Sequence, residues 1–149
     1  MKGTFITWMY DSRADWIAQR PSGVHVISNR YTNVGLEWMW RRMAGMVPDD
    51  LSQAQIVVGD GRTESTGGEE ALVGENQSRA PLDEGFPEVI GSRIRFRATF
   101  GEREGIHEWH ERGIVVPSGI LVDRAVGDEG RKVFGSVWDV EAELELLPN

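Results

Sequence analysis

The sequence predicts a mainly β domain, an antiparallel β-sandwich or barrel-like sheet carrying one α-helix at about Thr32–Ala44. Three observations predict it. Eighteen glycines fall mostly between apolar runs, the punctuation of a chain with many turns. Ser92–Phe100 alternates apolar and polar residues with the period of a half-buried strand. Glu108–Val126 reads as a hairpin whose apolar strands meet at Pro117-Ser118-Gly119, where Pro fixes φ and Gly permits a positive one.

Taken in order, Thr4–Tyr10 is rich in β-branched and aromatic residues and reads as a strand. Asp11–Asp15 is a loop or a short helical turn, Pro21-Ser22-Gly23 is a turn, and Val24–Ile27 is a second strand. Residues 1–30 form an N-terminal arm that either packs on its own domain or lies on a neighbouring subunit, and residues 31–149 form a single mainly β domain. In the helix, Thr32 or Asn33 is placed to cap the start. Leu36, Met39, Trp40 and Met43 recur at helical spacing and predict the buried stripe. Arg41 and Arg42 complement the dipole in the last turn, Gly45 suits the residue after the cap, and Pro48 stops continuation.

Gln55–Gly59 is a short buried strand, followed by a long polar loop over Arg62–Gly74 with an apolar island at Ala71-Leu72-Val73. In Ser92–Phe100, Ile94, Phe96, Ala98 and Phe100 face the core. Arg93, Arg95 and Arg97 face outward, to be solvated or paired across the sheet with Glu141, Glu143 and Glu145. Gly113 enters the hairpin just after Glu111-Arg112, a place for a bulge or a close backbone approach. Lys132–Leu147 predicts the last strand, with Phe134, Trp138, Val140, Ala142, Leu144 and Leu146 on one face.

The chain has 149 residues, a length for one domain with a real core. Sixteen basic against 24 acidic residues give a net charge of -8, which argues against nucleic acid as partner. No apolar run is long enough to cross a bilayer, so no membrane partner is expected. With no cysteine, disulfides and thiolate metal sites are excluded. Six tryptophans, at 8, 16, 38, 40, 109 and 138, are enough to anchor both a core and an interface.

The chemistry-bearing residues form no catalytic constellation. His107 and His110 are three apart in a strand-like segment, whereas a zincin helix needs two histidines four apart. Acidic pairs such as Asp49-Asp50 and Glu69-Glu70 sit in polar loops and read as solvated charge. Gly59-Asp60-Gly61 lacks the lysine and glycine spacing of a phosphate loop. No catalytic, cofactor-binding or metal residue is therefore assigned, no cofactor is expected, and a structural or binding role is favoured over an enzyme; the enzyme class kept as the last alternative is a carbohydrate-active one acting on cell-wall carbohydrate, which needs a carboxylate pair that no motif announces.

Four stretches in order carry a resemblance. They are Asn33–Met39 opening the helix, Ile56-Val57-Val58-Gly59-Asp60-Gly61, the loop through Ala71-Leu72 and Glu75–Arg79, and the hairpin from Glu108–Ile114 to Gly119–Ala125. This order resembles small phage tail proteins and the N-terminal, virion-attaching region of phage tail fibres. There an Ile-Ala-Val-Gly-Asp-Gly strand, a Leu…Glu…Arg segment and an Arg-Glu-Ile-Gly-Leu-Phe hairpin recur. Here the hairpin reads Glu111-Arg112-Gly113-Ile114, one residue shorter between charge and glycine. The resemblance implies a virion structural protein made in the host bacterial cytoplasm. Its partners would be other tail, baseplate or capsid proteins and further copies of itself. A short version without a fibre shaft is expected to be a tail or baseplate adaptor, or else a capsid decoration protein.

Overall fold

The computed structural model describes residues 2–145. Along the chain lie β1 (Lys2–Tyr10), α1 (Arg13–Ile17), β2 (Gly23–Ser28), β3 (Arg30–Tyr31) and α2 (Asn33–Met43). After a 3-10 turn at Leu51–Gln53 come β4 (Gln55–Gly59), β5 (Gln77–Pro81), β6 (Glu88–Ile90) and β7 (Arg93–Phe100). The chain continues as β8 (Glu108–Val115), β9 (Leu121–Arg131) and β10 (Val137–Glu145). The strands form two five-stranded antiparallel sheets, β2-β1-β10-β7-β6 and β3-β9-β8-β4-β5. Four edges stay open, so the architecture is a sandwich and not a closed barrel.

The core lies between the sheets. Phe5, Phe96, Phe100, Val140 and Ala142 come from the first sheet, and Ile56, Val58, Trp109, Ile114 and Val122 from the second. All ten are fully buried. The alternation read in β7 and β10 is thus the pleat of a sheet with one dry face. On its outer face the arginines meet the glutamates as the charge pattern suggested. The register sets Arg93 opposite Glu145, Arg95 opposite Glu143 and Arg97 opposite Glu141. Arg95 Nε lies 3.0 Å from Glu143. Arg97 departs from the ladder and turns to Asp139, at 2.9 Å.

Of the two placements open to the N-terminal segment, the structure has the first. β1 pairs with β10 over nine residues and with β2 on its other side, and Phe5 sits in the core. Residues 2–28 are therefore part of the sandwich and not an appended arm. The last strand is shorter than expected. It starts at Val137 because Gly135, at φ 92, and Ser136 form a turn closed by Ser136 N–H to Val133 O. Phe134 consequently lies outside the strand, 67% exposed, with the Arg103 guanidinium over its ring. Leu146 lies outside the described residues.

The helix is placed as predicted, but its buried face is only partly the predicted stripe: Met39 packs against the core and Leu36 is half-buried. Thr32 caps the helix, its Oγ1 accepting from Gly35 N at 2.9 Å. Gly35 packs on the hairpin so closely that a Cβ there would stand 2.3 Å from Val122 O. That contact fixes which side faces in. Gly35 and Trp38 are buried, while Trp40 and Met43 are 71% and 70% exposed. Two residues along a helix is about half a turn, so burying Trp38 turns Trp40 outward. A glycine adds nothing to an apolar stripe, so the sequence pattern missed the residue that sets the rotation. Trp38 also donates Nε1 to Asp49 Oδ1 at 3.1 Å, and Asp49 Oδ2 accepts from Ser118 N at 3.0 Å, tying helix to hairpin turn. Replacing Trp38 by Ala is expected to cost about 3 kcal/mol in a denaturant melt. The same change at Trp40 is expected to stay within about 0.5 kcal/mol, as for an exposed site. Equal costs would show that the helix packs differently.

Candidate functional site

Two places concentrate polar chemistry. The first is the outer face of the second sheet, where the loop between β4 and β5 folds back over the hairpin. Leu72 anchors it in a small apolar cluster with Val57, Val115 and Leu121. Beside them the fully buried Glu111 carboxylate takes four donors. Its Oε2 accepts from Gly61 N at 2.9 Å and Gly74 N at 2.7 Å. Its Oε1 accepts from Val73 N at 2.9 Å and Arg124 Nε at 3.0 Å. A carboxylate has about four lone-pair sites, so this one is saturated.

The Gly59-Asp60-Gly61 sequence follows from this geometry. A Cβ on Gly61 would stand 2.4 Å from Glu111 Oε2, and one on Gly59 2.7 Å from it. Asp60 accepts from Asn76 Nδ2 at 2.7 Å and closes the loop base. Arg124 extends the network, donating Nη1 to Thr63 O at 2.7 Å and lying 3.6 Å from Glu69. Glu69 in turn accepts from Thr66 N and Gly67 N. Gly67 O receives Asn33 N–H at 2.7 Å, at the start of α2. The segment read as a long polar loop is therefore fastened along its length.

The same hairpin buries three more ionisable groups, Arg112, Glu129 and Asp123. Arg112 Nη1 sits 2.8 Å from Glu129 Oε1 with both side chains fully buried. Thr7 of β1 donates to that same oxygen at 2.9 Å, so the pair bridges the two sheets. Burial pushes Arg112 down and Glu129 up from their ordinary values, and the attraction between them opposes both shifts. Asp123 accepts from Ile114 N at 2.9 Å and from Asn29 Nδ2. Burial pushes its carboxyl up to about 7, against those two hydrogen bonds. The folded state then holds a proton on Asp123 that the unfolded chain releases near pH 4, so stability falls as pH rises from about 4 to 7. Asp123→Asn should flatten urea-melt stability across that window by up to about 1.4 kcal/mol per pH unit. Parallel pH profiles would show that Asp123 is ionised in the fold.

The second place is an open groove of about 730 Å3 on the outer face of the first sheet. Trp8 and Tyr10 come from β1, Trp16 from α1, Arg97 and Thr99 from β7, and Asp139 from β10. Asp83, Glu84 and Phe86 close the far wall. Asp139 is buried and saturated. Trp16 Nε1 donates to both its oxygens at 3.0 and 3.1 Å, Arg97 Nη2 donates at 2.9 Å, and Thr99 Oγ1 lies at 2.9 Å. Thr99 Oγ1 is also 3.0 Å from Asp83 Oδ2. One hydroxyl hydrogen cannot serve two carboxylates. Burial, the larger cause, with the nearby Asp139 charge pushes the Asp83 carboxyl up from its ordinary value. Sequence reading missed this groove because its residues come from five separated segments with no local motif.

The histidines serve separate partners. His107 Nε2 shares a hydrogen bond with Ser78 Oγ at 2.9 Å, while His110 lies between Glu108 and Asp128 at 3.1 and 3.3 Å. Among the described residues no group of three or more His, Cys, Asp or Glu is placed to hold a metal ion. No helix among them is long and apolar enough to cross a membrane. No protein-family model, curated protein or solved structure matches this chain.

Proposed function

We propose that this protein is a structural component of a bacteriophage virion, most directly a tail, baseplate or fibre-attachment protein that works by protein–protein assembly. The observation that carries the reading is the convergence on the Glu111–Arg124 framework. Each stretch of the phage-tail resemblance supplies a part to it: Gly61 from the strand motif, Val73 and Gly74 from the loop, Glu111 and Arg124 from the hairpin, and Asn33 from the helix through Gly67. The recurring residues thus have one shared explanation, the holding of a loop and a helix on a sheet. A scaffold of this kind works through what it presents. The helix that it holds presents Trp40 and Met43, with Met46 66% exposed just beyond, and Trp and Met are residue types enriched at interfaces. The partners in this reading are other phage structural proteins and further copies of the chain.

The test is the copy number of this chain in purified particles, by quantitative mass spectrometry against the major capsid protein. A small fraction of the capsid count is expected. A comparable count would move the protein to the capsid surface as a decoration protein. Its absence from particles would end the virion reading. Trp40→Ala should lower incorporation while leaving the fold intact.

A further inference from the structure

We propose that the groove on the outer face of the first sheet binds a neutral saccharide, an activity independent of the virion reading. An anion would face Asp83, Glu84 and Asp139. A cation would meet guanidinium groups already in place: Arg97 lies 5.3 Å from the centre of the Trp8 ring, and Arg13 lies 5.9 Å from that of Trp16. The fixed charges are also largely answered within the protein, Arg97 by Asp139 at 2.9 Å. What remains is an open trough with aromatic walls and a polar rim, of a volume common for small-ligand sites. A pyranose ring offers the matching chemistry, C–H groups for the aromatic surface that the guanidinium groups leave uncovered and a rim of hydroxyls for the polar groups.

The rim has groups to spare. Among the described residues, the Tyr10 hydroxyl and Asp83 Oδ1 make no hydrogen bond within the protein. Gln19 lines the same groove and is the one non-glycine residue there with positive φ, at 55°. It follows Ala18, the C-terminal cap of α1, a place where glycine is the usual solution. Gln19 N–H bonds Trp16 O and Arg20 N–H bonds Asp15 O, so the positive φ closes the helix end and sets Gln19 in the groove wall.

Asp139 is a positioning residue in this site. Its lone pairs are filled by Trp16, Arg97 and Thr99, which fixes the Trp16 ring and leaves no free oxygen to attack a glycosidic carbon or activate water.

The experiment titrates the whole protein with four probes: trimers of β1,4-linked N-acetylglucosamine, of β1,4-linked glucose and of α1,4-linked glucose, and lactose. Each is followed by tryptophan fluorescence and saturation-transfer NMR up to about 10 mM, the range of weak single-site binding. At least one probe is expected to bind, with its NMR contacts on ring C–H groups. Trp16→Ala and Gln19→Gly should each weaken it by about tenfold or more, and Trp40→Ala should leave it unchanged. Gln19→Gly removes the amide while relieving the backbone, so a stable variant with lost binding keeps the test sound even where Trp16→Ala fails to fold. Silence of all four probes overturns the proposal. So does binding that survives Gln19→Gly and Trp16→Ala, or tighter binding of trilysine or a sulfated disaccharide.

Discussion

Glu111→Ala is expected to destabilise the protein by about 3–5 kcal/mol, because it strips the fully buried Arg124 of its hydrogen-bonded carboxylate and leaves only Glu69, 3.6 Å away. Three backbone N–H groups, of Gly61, Val73 and Gly74, lose their acceptor in the same step. Glu111→Gln separates these effects. The amide keeps one acceptor oxygen but sets an NH2 against two of the donors, so a smaller cost of about 1–3 kcal/mol is expected. The loop should respond first: amide exchange at Gly61, Val73 and Gly74 should accelerate in both variants, even at denaturant concentrations where the sheets stay protected. Glu70→Ala, on the same loop but exposed, serves as the reference. A loss below about 1 kcal/mol in Glu111→Ala would mean that Leu72 and its neighbours hold the loop unaided.

Trp109→Ala is the second large effect. The side chain is fully buried and packs edge-on against Phe100 and Trp138, with ring centres 4.9 and 4.8 Å away. Its Nε1 donates to Gly105 O at 2.9 Å. Truncation of so large a core group costs about 3–5 kcal/mol, and each lost aromatic pair adds up to about 1 kcal/mol. For a chain of this size that lowers the melting temperature by roughly 10–15 °C. Trp109→Phe should recover part of the packing but not the hydrogen bond and so fall between. A melting temperature unchanged in the alanine variant would place the ring outside the core.

What the sequence made legible was local. Period-two alternation gave β7 and the described part of β10, and turn chemistry gave the hairpin, with Gly119 at φ 90. Charge alternation offered a pairing of the arginine face with Glu141, Glu143 and Glu145 as one of two outcomes, and the register that selects Glu143 for Arg95 came only with the structure. Three kinds of feature were not legible. Glu111 and Arg112 look like solvated charges entering a strand, and only the returning loop and the opposite sheet bury them. The rotation of α2 is set by Gly35, which has no hydropathy to register. The groove gathers Trp8, Trp16, Asp83, Arg97 and Asp139 from across the chain, and no pattern of spacing announces a site assembled by topology.

The pairing of β1 with β10, Lys2 opposite Glu145, bears on the order in which the molecule can be made. The second sheet draws its strands from residues 30–131, and its hairpin closes over a short turn. In the first sheet β1 lies beside the central strand, β10, which is made after every other strand of the two sheets. Loop closure over so long a span is slow. During synthesis β1 must therefore stay unpaired on one edge, with Phe5, Met9 and the Trp8 ring in water, while the second sheet assembles. Pulsed hydrogen exchange during refolding should find β8 and β9 protected ahead of β1 and β10; simultaneous protection would mean that both sheets condense in one step. The last strand acts as a latch, and the sandwich stays open until it closes.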